Sequence, residues 1–82
     1  MSILNLTGRD RALLRAVAAG RCDIAPTGVP NLRVDGRWFC DQPRAHALLA
    51  AGLVARVHGA SAATLTRAGR AALEDEYARA AA

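Results

Sequence analysis

Four side chains in this sequence offer the thiol and imidazole chemistry that binds zinc or attacks a substrate: Cys22, Cys40, His46 and His58. Thiolates and imidazoles are the usual zinc ligands, but structural zinc sites draw them in closely spaced pairs. Here the intervening lengths are seventeen, five and eleven residues. That matches no finger or ribbon, so no metal is expected. Cys40 and His46 are the one pairing that suggests a nucleophile and its base. Cys40 stands just ahead of a helix N-terminus, where a thiolate is stabilised, yet nothing supplies an oxyanion hole or a substrate pocket. No phosphate loop, dinucleotide fingerprint or paired-carboxylate site is present. The expectation is a chain that is not an enzyme and takes no cofactor. A Cys22–Cys40 disulfide does not suit a reducing cytosol, and both thiols read as small buried hydrophobes.

The remaining chemistry lies in arginine. All eleven basic residues are Arg, and against seven acids they leave a net charge of +4 and a pI near 10.5. Such a balance favours a polyanionic partner. An Ala-rich, Arg-only composition is also what a GC-rich genome encodes, and the net charge lies within the ordinary range for a small domain. Charge therefore adds a mild push towards nucleic acid.

The elements that must position these groups can be read along the chain. Thr7 and Asp10 have capping-box spacing. They open a helix from Gly8 to Ala19 that buries Leu13, Leu14 and Val17 and stops at Gly20. Pro26, Gly28 and Pro30 make residues 21–30 a loop and forbid a regular helix there. Leu32-Arg33-Val34 and Arg37-Trp38-Phe39, joined by Asp35-Gly36, form a hairpin. Its two-residue turn pairs Val34 with Arg37, Arg33 with Trp38 and Leu32 with Phe39. Leu32, Val34 and Phe39 then share the core side and Arg33 and Trp38 the other. Asp41 caps a second helix, Gln42 to Ala51, with Pro43 in its first turn and Ala45, Leu48, Leu49 and Gly52 on one stripe. Leu53–Val57 and Ala63–Leu65 are strands around a polar loop, His58–Ala62, and Thr66 caps a last helix carrying Leu73 and Tyr77.

The stretch LLAAGLVARVHGASAATLTRAGRAALE resembles the second half of winged-helix transcription regulators of the MarR and PadR types. Leu49, Gly52, Leu53 and Val54 match the end of their recognition helix, and Leu65, Thr66 and Gly69 match the Leu-Thr-x-x-Gly that follows their wing. The whole chain also looks similar to small stand-alone actinobacterial proteins of unassigned function. The loop at 21–30 departs from the winged-helix pattern, which has a helix there. The implied fold is α+β and winged-helix-like: helix, β-hairpin, helix, two-stranded wing, helix, in one domain over 1–82. Such a chain buries roughly 60–65% of its unfolded surface, enough for one modest core.

The resemblance implies a small DNA-binding regulator or accessory factor. Its second helix would enter the major groove and its wing would lie on the backbone. Gln42, Arg44 and His46 are then the side chains able to reach a base edge or phosphate, because Pro43, Ala47 and Ala50 make up the rest of the exposed face. Arg56, His58 and Arg67 would approach phosphates from the wing. Arg33 and Arg37, with Trp38, would lie along a backbone. The alternative is a non-enzymatic protein-interaction module on the same scaffold, docking through the alanine face and the Arg33–Trp38 side. An Arg33–Trp38 cation–π contact that merely shields the indole is the plainer account of that pair. Leu73 and Tyr77 suggest a homodimer strip.

Residues 1–6 lack the basic lead of a signal peptide. The longest apolar run, Ala45–Ala55, falls far short of the ~20 residues that span a bilayer. A soluble, cytoplasmic protein with no membrane contact is expected. Leu13, Leu14, Val17, Val34, Phe39, Leu48, Leu49, Leu53, Val57, Leu65 and Leu73 are the expected core.

Overall fold

The computed structural model describes residues 6–26, 28–57 and 59–81, with 75–81 by backbone alone. It is an α+β fold. The order is α1 (Gly8–Ala18), β1 (Cys22–Ile24), β2 (Leu32–Val34), β3 (Arg37–Trp38), α2 (Gln42–Ala50), β4 (Val54–Arg56), β5 (Ala63–Leu65) and α3 (Arg67–Ala81).

Helix α1 starts on the expected box. The Asp10 N–H donates to Thr7 Oγ1 (3.1 Å) and the Thr7 N–H donates to Asp10 Oδ2 (2.9 Å). The Asp35-Gly36 turn has positive φ at both residues, 53° and 79°. That is the conformation that matches the twist of two paired strands, and it fixes the register as Val34 opposite Arg37 and Arg33 opposite Trp38. The Phe39 N–H extends the ladder by donating to the Leu32 carbonyl (3.0 Å).

The segment 21–30 departs from its reading as loop. Cys22–Ile24 is a strand, antiparallel to β2, with Cys22, Asp23 and Ile24 opposite Val34, Arg33 and Leu32. Alternation drives it: Cys22 and Ile24 are buried and Asp23 faces out. No helix occurs between Cys22 and Pro30 among the described residues. The strand also links the two sheets, since Asp23 bridges to Ala62 and the Ile24 N–H donates to the Ser61 carbonyl (2.7 Å).

The residues that carry the winged-helix resemblance meet at one junction. Thr66 Oγ1 donates to the Gly52 carbonyl and accepts from the Gly69 N–H (3.0 Å), and the Thr66 N–H donates to the Leu53 carbonyl (3.1 Å). A Cβ on Gly69 would lie 2.1 Å from that Leu53 carbonyl oxygen. Glycine is required there by close approach, while Gly52, at φ 78°, is required by conformation.

Leu13, Leu14, Val17, Ile24, Leu32, Leu48, Val54, Leu65 and Leu73 form the buried core, with Ala16, Cys22, Ala45 and Ala63 filling between them. Val34, Phe39, Leu49 and Leu53, expected inside, are only partly buried against it. Val57 is a correction: it is 40% exposed. Val54 pairs with Leu65 on the inner side, and alternation turns Ala55 and Val57 outward.

Candidate nucleic-acid interface

Helix α2 presents its polar side chains to its own fold. Gln42 lies where Asp41 starts the helix, beside the end of the hairpin. Its Oε1 accepts from the Leu32 N–H (2.9 Å), and its Nε2 donates to the carbonyls of Leu32 (2.8 Å) and Phe39 (2.9 Å). The amide thus bonds both backbone groups of Leu32, as a paired strand residue would. One turn on, His46 Nε2 donates to Asn31 Oδ1 (2.8 Å).

Between them, Arg44 reaches α1. Its Nε donates to Asp10 Oδ1 (3.1 Å) and its Nη2 to Asp10 Oδ2. Asp10 is 1% exposed. Burial pushes its carboxyl pKa up, but the bond from Arg44, the Thr7 N–H and the Arg44 charge together carry it below the ordinary value of 3.8. The Asp10 bond in turn raises the Arg44 pKa. Arg44 can meet a base edge only by leaving a buried carboxylate behind.

The strands arrange their polar groups differently. Arg33 Nε and Nη2 donate to the two oxygens of Asp23 (2.7 and 3.0 Å), and the guanidinium carbon stands 5.5 Å from the centre of the Trp38 ring. The pair forms as the register requires, with Asp23, which sequence reading missed, as its third member. The strand alternation Cys-Asp-Ile was the available signal. The row extends further: Asp23 bridges to Ala62, and the Val57 N–H donates to the Ala62 carbonyl (2.8 Å). Trp38, Arg33, Asp23, Ala62 and Val57 therefore follow one another across the outer side of the strands. Trp38 is 61% exposed.

Charge is sorted along the same lines. Asp10, Asp23, Asp35 and Asp41 each face an arginine: Arg44, Arg33, Arg21 and, at 3.8 Å, Arg9. The other acids of the sequence are Glu74, Asp75 and Glu76. Arg15, Arg37, Arg67 and Arg70 are exposed and have no ion pair among the described residues. Arg56 is exposed and donates to the Ala25 carbonyl, and Arg11 donates to the Leu6 carbonyl (2.8 Å).

His58 lies outside the described residues, as does the side chain of Tyr77. Leu73, the other half of the expected homodimer strip, is buried in its own core. Cys22 is buried, with its thiol pushed up to about 11 by that burial. Cys40, expected to be buried, is a correction: it follows the end of the hairpin and is exposed, and both are free thiols. Among the described residues no three His, Cys, Asp or Glu side chains are grouped to hold a metal, and no helix is long and apolar enough to cross a membrane. No protein-family model, curated protein or solved structure matches the chain.

Proposed function

We propose that this chain is a small, non-enzymatic nucleic-acid-binding module on a winged-helix-like scaffold, gripping the sugar–phosphate backbone with arginine. The observation that carries this reading is the sorting of charge. The aspartates between residues 10 and 41 are matched by arginines within the fold, while Arg15, Arg37, Arg67 and Arg70 stay exposed. Phosphate contact needs exposed cations and no particular helix.

The scaffold part of the reading rests on α2 running into the β4–β5 hairpin and on the Gly52–Thr66–Gly69 junction that leads into α3. A β-hairpin stands where a helix-turn-helix has its first crossing helix. DNA is the expected polymer, bound without base reading by α2, because Gln42, Arg44 and His46 are each bonded within the fold.

Anisotropy of a labelled random duplex tests this. Expected is micromolar binding at about 50 mM salt that weakens steeply by about 200 mM. Replacing Arg37, Arg67 or Arg70 by Gln should lower the salt slope by about one unit where that residue meets phosphate. Equal affinity for every sequence supports the reading, and no binding at low salt overturns it.

A protein-interaction module remains the second reading, favoured by the exposed Trp38 and Val57. A photo-crosslinker at position 38 that traps a protein in cells, and no nucleic acid, would select it.

A further inference from the structure

Trp38 is the only tryptophan of the chain. It sits on β3, at the edge of the three-stranded sheet β1-β2-β3. A large apolar side chain 61% exposed on the open side of a sheet ordinarily adjusts freely to its surroundings. This one is held. Arg33 is fixed by two hydrogen bonds to Asp23 and lies 5.5 Å from the indole centre. A fixed guanidinium this close limits how the ring can turn, so less side-chain freedom is lost when something stacks on it.

We propose that Trp38 is a stacking platform for an unpaired base, which makes single-stranded nucleic acid a ligand of the outer sheet side. The inference rests on the nucleic-acid reading above and adds the polymer form and the contact residue. Bases inside a duplex are already stacked, and an indole on a sheet meets only a base that has left its stack. The surroundings suit a charged strand. Asp23, the carboxylate of this row, is taken up by Arg33. Arg37, next to Trp38 on this edge strand, leaves from the opposite face with Val34, but it is exposed and has no ion pair among the described residues. A strand whose base stacks on Trp38 would bring a phosphate to that cation by rounding the sheet edge.

A protein partner fits this side less well. Interface anchors sit within an apolar patch that excludes water, whereas the neighbours of Trp38 across the sheet are Arg33 and Asp23. Val57, the other exposed large apolar residue of the row, is four strand spacings away, about 19 Å.

The experiment follows Trp38 emission and the anisotropy of a labelled oligothymidylate of about twelve nucleotides, within the range one small domain covers, with a random duplex in parallel. Saturating oligothymidylate should quench Trp38. Trp38→Ala should weaken oligothymidylate binding about tenfold, and duplex binding by less than about twofold. Trp38→Phe should recover most of the loss. Circular dichroism melts check that each variant is folded. Oligothymidylate that binds without changing Trp38 emission, or binds Trp38→Ala as well as the parent, overturns the platform while leaving backbone binding intact. Failure of both oligothymidylate and duplex to bind overturns the nucleic-acid reading itself. Polyglutamate that quenches Trp38 more strongly than oligothymidylate would assign this side to an acidic protein segment and overturn the platform as well.

Discussion

The first turns of α2 and the outer side of β1–β3 carry similar side chains, long polar groups and arginines, and use them in opposite ways. On α2, Gln42, Arg44 and His46 turn back to the hairpin and to α1. On the strands, Asp23, Arg33 and Trp38 bond to one another across the surface and keep one side in water. Gln42, Arg44 and His46 on the helix and Arg33 and Trp38 on the strands would all be chosen from sequence as contacts, since type and spacing are right in each. The difference lies in the partner supplied by the rest of the chain. Asp10 is buried and needs a cation, and Arg44 is within reach. Asp23 sits at the surface, and its pairing with Arg33 stiffens a group that stays accessible.

The sharpest way to break this comparison is Arg44→Ala. If the contact is a fastener, removal leaves a carboxylate buried without its cation, which costs about 3 kcal/mol. In a domain of this size that is roughly 15 °C in melting temperature, readable by urea and thermal unfolding. The pH dependence carries a sign. Asp10 titrates below its ordinary 3.8 in the folded chain, so its contribution is complete above that value and is lost as pH falls through the lower folded one. Without Arg44, only the Thr7 bonds oppose burial, and the carboxyl pKa of the folded chain rises. The gap between parent and variant should therefore narrow in acid. A gap that stays constant from neutral pH to about pH 3 would remove Asp10 from the account.

Gly69→Ala asks whether the C-terminal end of α2 is fastened as firmly. A Cβ 2.1 Å from a backbone oxygen forces α3 away from Leu53, at about 2–3 kcal/mol. Denaturant unfolding should show the loss with little change in nucleic-acid affinity measured well below the transition. A neutral outcome would mean that α3 slides freely, and that the Gly52–Thr66–Gly69 junction does not set its position.

These two sites also show what sequence makes legible. Thr7 with Asp10 and Asp35-Gly36 are local: partners lie a few residues apart or are joined by a turn whose geometry fixes the register, whereas the Gly52 to Gly69 pattern was legible through the resemblance it carries. The Arg33–Trp38 pairing follows from the turn and was readable. Arg44 and Asp10 lie 34 residues apart, and no periodicity links them. Asp10 already had a complete local role in the capping box, which hid the second. Strand β1 was unreadable for the same reason. Its Cys-Asp-Ile alternation spans three residues, too few to mark a strand without the partners, which come from β2 and from residues near β5. Val57 reads as core in an apolar run, and only the Val54–Leu65 register turns it outward.

A smaller effect is expected at Gln42. Gln42→Ala removes bonds to Leu32 and Phe39, which are neutral backbone groups and not a buried charge. The loss should be about 1–2 kcal/mol, and amide exchange should quicken at Leu32 before the rest of β2. Unchanged exchange there would mean that the Gln42 amide is not what holds the hairpin to α2.

The least change is expected at Trp38, and there the comparison is most exposed. The indole gives up little buried area and one cation–π contact, so Trp38→Ala should shift stability by about 0.5–1 kcal/mol at most. Arg33→Ala also frees Asp23, so its loss alone says little about the indole. A double-mutant cycle over Arg33 and Trp38 isolates the contact between them, and the coupling should stay below about 1 kcal/mol. A coupling of 2 kcal/mol or more would make Trp38 a fastener like Arg44. Its exposure would then be incidental to packing, and the outer sheet side would lose its claim to be a contact surface. Weak coupling, with a Trp38→Ala variant that melts as the parent does, leaves a rigid aromatic ring that the fold does not need for its own stability.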